Sequence, residues 1–388
     1  MNTHLLEELK TAFTKWFGVK PAAIAYAPGR VEILGNHTDY NEGYVLSAAI
    51  NYGTFFAAAA NESAECRLVA GDLKEECRFP VAGVSPSKTM SWANYVKGVF
   101  TGLGERGPIR NGFRGMFRGD VPLGAGLSSS AALEMSSGLA LSSLYGIPVP
   151  PLDLARLGQT AEHVYAGVKC GLLDQISSLY GRENALVLSD FRTLEVASVP
   201  LGAKACFLVC NTAVNHALVD SEYNERRARC EEAARFFAGV LDHPVRALRD
   251  VAWEEWEAHH SGMNPVAARR SAHVIGENTR VRRGKDFLGR HDLKGFGGLM
   301  FESHESSRTQ FENSCPELDA LVTAARTMPE VLGARLSGGG FGGSIVALVK
   351  APDADGVAHR LANAYRETFG HPCVAMAIKP SAGAAIVS

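Results

Sequence analysis

Residues 121–134, VPLGAGLSSSAALE, place a glycine-rich turn directly before a helix of small residues. Glycine lets a backbone approach an anion closely, and consecutive serines add hydroxyl donors. A helix that begins at this turn would point its free N–H groups and the positive end of its dipole at the same spot. The pattern predicts a phosphate-binding loop, and the alternative is a plain helix N-cap followed by an Ala/Ser-rich packing face.

A second glycine-rich segment, LSGGGFGGS at residues 336–344, contains the spacing G-x-G-x-x-G, as does GLGERG at residues 102–107. Neither is followed by a helix within a strand–helix–strand unit, so neither predicts a dinucleotide site. The sequence also lacks G-x-x-x-x-G-K-[ST], which excludes a P-loop ATPase. The glycine content of residues 336–344 exceeds what a hairpin turn needs and favours a backbone that passes close to a ligand.

A third segment, GRVEILGNHTDYNEGYVLSAAI at residues 29–50, gathers hydrogen-bonding side chains between two apolar runs. The polar cluster consists of Asn36, His37, Asp39, Tyr40 and Asn41. A loop between two buried strands can hold such groups for a ligand, although a single histidine there would more often be a packed loop residue.

Length and composition limit the classes to which the protein can belong. A chain of 388 residues exceeds the ~250–300 residues at which a single core stops growing, so we expect two domains, 1–200 and 201–388, divided near Pro200. The formal charge of -2 argues against nucleic acid or an anionic membrane as a general partner. The eight cysteines are scattered without a C-x-x-C pair, and no run approaches ~18 apolar residues, so we expect a soluble, cytoplasmic protein.

Helix and strand patterns alternate irregularly along the chain, which favours an α+β fold over a strict βαβ repeat. The segments MNTHLLEELKTAFTKWFGVKP (1–21) and SWANYVKGVFTGLGERG (91–107) predict helices that glycines end, and the chain from Ser221 to Thr327 is mostly helical in pattern. Before residue 80 we predict separate strands at 22–27, 31–34, 44–50, 54–60 and 66–70.

These motifs resemble a known family. PGRVEILGNHTDYNEGYVL (28–46) is similar to the signature of galactokinases, and residues 121–134 resemble the phosphate loop of the wider superfamily of galactokinases and homoserine, mevalonate and phosphomevalonate kinases. LSGGGFGGSIVALV (336–349) resembles the third motif of that superfamily, and the resemblance spans nearly the whole chain. It implies a ribosomal-protein-like N-terminal domain and a ferredoxin-like C-terminal domain, with the active site in the cleft between them.

The resemblance also implies roles for single residues. The catalytic pair would be Asp174 and Arg30, with Asp174 acting either as a general base or mainly in orientation and late proton acceptance. The remaining assignments are ATP phosphates for Gly124, Ala125, Gly126, Leu127, Ser128, Ser129 and Ser130; Mg²⁺ for Glu162 with Ser129 or Ser130; the adenine for Trp92; and the sugar for Asn36, His37, Asp39 and Tyr223. By sequence alone, Glu162 could be a solvated helix residue and Trp92 a core residue.

One departure concerns the substrate. Galactokinases typically have G-R-V-N-L-I-G-E-H-T-D-Y, whereas Glu32 stands here where Asn is usual and Asn36 where Glu is usual. The family glutamate contacts the sugar C6 hydroxyl. We therefore expect an ATP- and Mg²⁺-dependent galactose 1-kinase, favoured as a monomer, with a C6-modified galactose such as galacturonate as the alternative substrate. A non-catalytic sugar sensor is disfavoured because the phosphate loop is intact.

Overall fold

The computed structural model describes residues 1–122, 124–215 and 219–388, so Leu123 of the glycine-rich turn lies outside the described residues. The helices are α1 (Thr3–Phe17), α2 (Trp92–Gly104), α3 (Ser129–Tyr145), α4 (Pro151–Ala161), α5 (Leu173–Tyr180), α6 (Val219–Val240), α7 (Trp253–His259), α8 (Pro265–Gly289), α9 (Leu293–Ser306), α10 (Pro316–Arg326) and α11 (Ala354–Phe369). The strands are β1 (Ala23–Leu34), β2 (Tyr44–Ala60), β3 (Glu65–Ala70), β4 (Glu75–Pro80), β5 (Phe113–Gly119), β6 (Ala185–Asp190), β7 (Val196–Pro200), β8 (Ala205–Asn215), β9 (Val331–Ser337), β10 (Gly342–Lys350), β11 (Val374–Ile378) and β12 (Ala385–Ile386).

The strands form two sheets, and the predicted α+β class is confirmed. The larger sheet has the order β12-β1-β2-β5-β3-β4, with β6 pairing to β2 and β7 to β6. The smaller sheet has the order β11-β8-β10-β9, which is fourth, first, third, second along the chain. Helix α11 connects the third and fourth of these strands, so this part has the strand order of a ferredoxin-like fold.

In two places, two strands that we predicted as separate form a single long strand in the structure. The predicted strands 22–27 and 31–34 join in β1, which passes through Pro28 with a register shift between Pro28 and Arg30. The predicted strands 44–50 and 54–60 join in β2, because its first part pairs with β6 and its last part with β5. Strands β4 and β12 were not predicted, since short edge strands carry little apolar pattern.

The two sheets share one core. A single cluster of buried side chains contains Val31 and Leu46 from the larger sheet together with Phe207 and Val346 from the smaller one. The last strand, β12, returns to pair with β1 in the larger sheet. The division at Pro200 stays a prediction, and the chain end beyond β11 packs with the first half. No helix in the described ranges is long and apolar enough to cross a membrane.

Candidate active site

Two neighbouring cavities open at the junction of the two sheets. We call the first the polar cavity, because its lining includes Glu32, Asn36, His37, Asp39 and Tyr223. We call the second the glycine cavity, because residues 337–343 face Gly124, Gly126 and the serines 128–130 across it. Arg30, Asp174, Gly338 and Gly339 line both cavities. The predicted catalytic pair therefore lies where the two cavities meet.

Arg30 and Asp174 form a tightly held ion pair. Arg30 lies just past the irregularity in β1 and is 8% exposed, and Asp174 lies in the first turn of α5. The Nε and Nη2 atoms of Arg30 both lie 2.7 Å from Asp174 Oδ1, and the Ser128 hydroxyl donates to Asp174 Oδ2. Both carboxylate oxygens thus hold a donor, which fixes the orientation of the group.

The turn before α3 has the backbone conformation that its glycines predict. Gly124 and Gly126 have φ of 70° and 68°, and Ser128 also has a positive φ of 56°. Arg30 Nη1 donates to the Gly126 carbonyl at 2.6 Å, and the Ser344 hydroxyl donates to the Ala125 carbonyl at 2.7 Å. Ala125 is buried in the shared core and is not among the residues that line the glycine cavity, so its contact with ATP stays a prediction.

A carboxylate and a hydroxyl lie beside this turn. The π-helical turn Glu162–Ala166 follows α4 and buries Glu162, whose Oε1 accepts from the Ser130 hydroxyl at 2.9 Å. Burial and the nearby Asp174 carboxylate raise the pKa of Glu162. In the described part of the chain no three His, Cys, Asp or Glu side chains converge as a metal cage. A carboxylate with a hydroxyl suits Mg²⁺, which takes one or two protein oxygens together with phosphates.

The loop of the polar cavity is held by α8. Glu277, which is fully buried, accepts from the backbone N–H groups of Gly35 at 2.8 Å and Asn36 at 2.9 Å. His273 Nε2 lies 3.2 Å from the Asn36 carbonyl oxygen. Arg280 is the ion-pair partner of Glu277 and, together with His273, lowers the pKa of Glu277 far below its usual value despite the burial. Glu277 and His273 were not among the predicted site residues, because no motif marks them on a long polar helix.

His37, Asp39 and Tyr223, which we predicted to contact a sugar, all line the polar cavity. His37 Nδ1 lies 2.9 Å from the Tyr40 hydroxyl, and its ring centroid lies 5.2 Å from that of Tyr223. Burial lowers the pKa of His37 to about 3, so the ring is neutral at neutral pH. Burial raises the pKa of Asp39 to about 7, with the Glu32 and Asp174 carboxylates adding to the shift. The wall of the polar cavity thus contains a neutral imidazole, His37, and a carboxyl group, Asp39, that titrates near neutral pH.

The exchanged pair, Glu32 and Asn36, forms one network. Glu32 Oε1 accepts from Asn36 Nδ2 at 3.0 Å and from Nη1 of the fully buried Arg335 at 2.8 Å. The Asn36 amide also donates to the Gly338 carbonyl at 2.8 Å and accepts from Asn313 at 3.0 Å. Protein partners therefore use both N–H groups of Asn36, whereas both bonds to Glu32 fall on one oxygen. Among the described residues, no donor binds the other oxygen of Glu32, which lines the polar cavity and can accept a hydrogen bond.

Trp92 lies outside both cavities. Its indole N–H donates to Glu75 Oε2 at 2.8 Å, and its ring packs on Phe117 with centroids 5.6 Å apart. Tyr95, almost one turn further along α2, lines the glycine cavity instead. The adenine contact of Trp92 stays a prediction, and Tyr95 is an aromatic neighbour of the phosphate loop that was not predicted.

Comparisons with known proteins agree with this architecture. Three family models match: the GHMP kinases N terminal domain over residues 94–182, the galactokinase galactose-binding signature over residues 11–60, and the GHMP kinases C terminal model over residues 285–367. Galactokinases of the Haemophilus influenzae strains PittEE and Rd are each 41% identical over 355 residues, covering 90% of this chain and 91% of the relative.

Solved structures give the same result. Lactococcus lactis galactokinase complexed with galactose has a TM-score of 0.92 at 32% identity, covering 98% of this chain and 99% of that chain. The Methanococcus jannaschii mevalonate kinase, at 17% identity and a TM-score of 0.63, covers 92% of this chain and 98% of its own and shares the fold. Identity of 41% to curated galactokinases over nine-tenths of the sequence shows that this chain belongs to the galactokinase family, within the GHMP kinases.

Proposed function

We propose that this protein transfers the terminal phosphoryl group of ATP to the O1 hydroxyl of galactose and forms galactose 1-phosphate. The observation that carries the proposal is the position of Arg30 and Asp174, which line both the polar cavity and the glycine cavity. A sugar in the polar cavity and a triphosphate in the glycine cavity would meet at this pair. The similarity to galactokinases, one of them solved with galactose, supports galactose as the sugar.

Each member of the pair has a distinct task in this reaction. Phosphoryl transfer passes through a loose transition state with negative charge on the phosphoryl oxygens, which the Arg30 guanidinium would stabilise. The bond from the sugar O1 to phosphorus forms, the bond from phosphorus to the bridging oxygen breaks, and ADP leaves with the electron pair. Asp174 would orient the O1 hydroxyl and accept its proton late, because both its oxygens already hold donors from Arg30 and Ser128.

Mg²⁺ fits beside the phosphate loop. Ser130 and Glu162 would hold it, since they offer a hydroxyl and a carboxylate within 2.9 Å of each other and lie near the negative charge of Asp174. When bound, the ion neutralises charge on the ATP phosphates. Gly124, Gly126 and the serines 128–130 would contact those phosphates through backbone N–H groups and hydroxyls.

The Glu32–Asn36 exchange favours galactose over galacturonate. The family has its glutamate at the position of Asn36, whereas this chain has its glutamate four residues earlier, at Glu32. Glu32 still lines the polar cavity beside Asn36. A Glu32 carboxylate can accept from a C6 hydroxyl, whereas it repels a C6 carboxylate in a partly desolvated site. The free oxygen of Glu32 would take over the contact that the family glutamate makes.

We propose that the protein acts as a monomer in a reducing compartment. The eight cysteines are all free thiols, which fits a cytoplasmic location.

A substrate panel tests the proposed function. The purified protein is incubated with ATP, Mg²⁺ and either galactose or galacturonate, and ³¹P NMR identifies the product while ADP release gives the rate. We expect an anomeric phosphate with galactose and at least about a tenfold lower kcat/KM with galacturonate, since each 1.4 kcal/mol of unfavourable interaction is tenfold. A preference for galacturonate, or phosphate on another hydroxyl, would contradict the proposal.

A further inference from the structure

A buried carboxyl group that the proposed reaction does not use lies under the active site. Glu134 is fully buried in α3, one helical turn beyond Ser130. Its Oε2 accepts from Nε2 of Gln175 at 2.9 Å, and Gln175 is fully buried directly after Asp174 in α5. The pair thus connects the helix that follows the phosphate loop to the helix that carries Asp174.

The bonding of this pair is incomplete if Glu134 is ionised. Both Glu134 Oε1 and Gln175 Oε1 are buried and have no donor among the described residues. A Cβ atom at Gly158 of α4 would lie 2.8 Å from Glu134 Oε2 and 3.1 Å from Gln175 Cγ, so the α4 backbone closes over the pair. Two unpaired oxygens in so tight a space, one of them charged, would be strongly destabilising.

The surrounding charges also disfavour a carboxylate. No lysine, arginine or histidine of the described chain forms a salt bridge with Glu134, and the Arg30 guanidinium is bonded to Asp174. The charged groups that act on it are the carboxyls of Glu162, directly after α4, and of Asp174. Burial and then the Glu162 and Asp174 charges raise the pKa of Glu134 well above its usual value.

We infer that Glu134 is a neutral carboxylic acid that forms two hydrogen bonds with the Gln175 amide and so positions Asp174 relative to the phosphate loop. Protonated Glu134 has an O–H donor for Gln175 Oε1, while the Gln175 N–H group donates to the other carboxyl oxygen. A face-to-face acid and amide satisfy each other in this way. Glu134 is therefore a positioning residue for the reaction proposed above, and it touches neither substrate.

Infrared spectroscopy tests the protonation state without any activity assay. The difference spectrum between the wild-type protein and Glu134→Gln at neutral pH should contain the carbonyl band of a protonated carboxyl group. Isotopic labelling of glutamate with ¹³C should shift this band. A difference spectrum with only carboxylate bands would overturn the inference, whether or not the protein phosphorylates galactose.

Matched variants test the positioning role. Glu134→Gln can form the same two bonds as a neutral amide pair, so we expect kcat within about twofold of the wild type, because no charge is removed. Glu134→Leu should lower kcat by on the order of 10²-fold with smaller changes in KM, as expected for a misplacement of about 1 Å. If Glu134→Leu does not fold, the exchange Glu134→Gln with Gln175→Glu decides, since it restores an acid–amide pair.

The outcomes separate the inference from the proposed function. If Glu134→Gln and Glu134→Leu lowered kcat equally, the charge of Glu134 would matter, and the inference that Glu134 is a neutral acid would be overturned. An exchange variant with less activity than Gln175→Glu alone would overturn the pairing. A wild-type protein without galactose kinase activity would contradict the proposed function, and the infrared band would still report the state of Glu134.

Discussion

The two loops that meet at Asp174 are stabilised by different means. The loop of residues 35–41 is held by distant side chains, above all Glu277 of α8, which binds two of its backbone N–H groups. The turn of residues 124–130 takes its shape from positive φ at Gly124, Gly126 and Ser128. Distant side chains contact two of its carbonyl groups and two of its hydroxyls, through Arg30, Ser344, Asp174 and Glu162. A change in the first loop should therefore act through charge and packing between the loop and α8, and a change in the second through local backbone conformation.

The largest effect is expected where the two loops meet. Asp174→Asn keeps the shape of the side chain but removes the negative charge beside Arg30 and the proton acceptor. We expect kcat to fall by roughly 10²–10⁴-fold, the usual cost of losing an acid–base group, with nucleotide affinity largely kept. Steady-state kinetics and calorimetric titration with ATP check this, and near-normal turnover of a folded variant would contradict the assignment.

The distant support of the sugar loop should be the next most sensitive. Glu277→Ala leaves Arg280 and the N–H groups of Gly35 and Asn36 without their partner in a buried site. Breaking such a buried pair costs about 3–5 kcal/mol of unfolding free energy, and KM for galactose should rise more than KM for ATP. Urea unfolding and kinetics measure both effects.

A surface carboxylate provides the control for Glu277. Glu302 pairs with Arg283 at 3.4 Å, and both side chains are about half exposed, 51% and 50%. Glu302→Gln should change the unfolding free energy by less than about 0.5 kcal/mol. If both variants destabilise equally, α8 does not clamp the sugar loop in the way we describe.

The phosphate loop should respond to a purely local change. Nothing lies within 4 Å of a Cβ atom at Gly126, so Gly126→Val is unfavourable because of its φ of 68° and not because of a clash. The left-handed conformation costs a residue with a Cβ atom about 1–2 kcal/mol. If the loop shifts to relieve this cost, the affinity for ATP should fall by roughly 5- to 30-fold, and the affinity for galactose should fall less.

Gly83 offers a matched control for Gly126. It also has a left-handed φ of 71° and no atom within 4 Å of a Cβ position, but it lines neither cavity. Gly83→Val should lose similar stability with unchanged ATP affinity in calorimetric titration. Equal losses of ATP and galactose affinity in Gly126→Val would point to general misfolding and not to a phosphate loop.

The difference between the two loops also explains what the sequence could predict. The turn of residues 124–130 was predictable, because the glycines and the helix start that shape it are neighbours in the chain. The position of β1 and β2 was predictable, but their continuity was not, since bends in a strand depend on which neighbours it pairs with. The α+β class followed from the irregular order of the elements.

The network around Glu32 could not be derived from sequence. Alternation along Val31–Leu34 does not show which face Glu32 takes, and the answer depends on Arg335, 303 residues away. A charged residue within the apolar strand β9 was the available signal, because a buried arginine requires a carboxylate or several carbonyl partners. Glu277 gave no such signal, since α8 is rich in charged residues along its whole length.

A moderate effect is expected from pH. The pKa of Asp39 is about 7 because of burial, so its carboxyl group ionises between pH 6 and 8. The ionised form accepts sugar hydroxyls more strongly, and galactose affinity should rise by about three- to tenfold over this range. Stability changes in the opposite direction: the raised pKa favours the folded state below about pH 4, and this contribution is lost as the pH rises to about 7.

Calorimetric titration with galactose at several pH values measures the Asp39 effect. Asp39→Asn should bind more weakly and lose the pH dependence, because an amide does not titrate. His37 does not contribute, since its pKa of about 3 keeps it neutral throughout. A pH dependence that survives in Asp39→Asn would assign the titration to another group.

The smallest effect distinguishes Glu32 from Asn36 at the C6 hydroxyl. Removing one hydrogen bond to a neutral hydroxyl costs about 0.5–1.5 kcal/mol, so the wild type should use 6-deoxygalactose with a roughly 2- to 12-fold lower kcat/KM than galactose. The Asn36 amide is already bonded to Glu32, Gly338 and Asn313, so Asn36→Ala should keep most of this ratio. Asn61→Ala, in a turn that lines neither cavity, is the control for losing a buried amide. A ratio that falls to one in Asn36→Ala but not in Asn61→Ala would show that Asn36, and not the free oxygen of Glu32, contacts the hydroxyl.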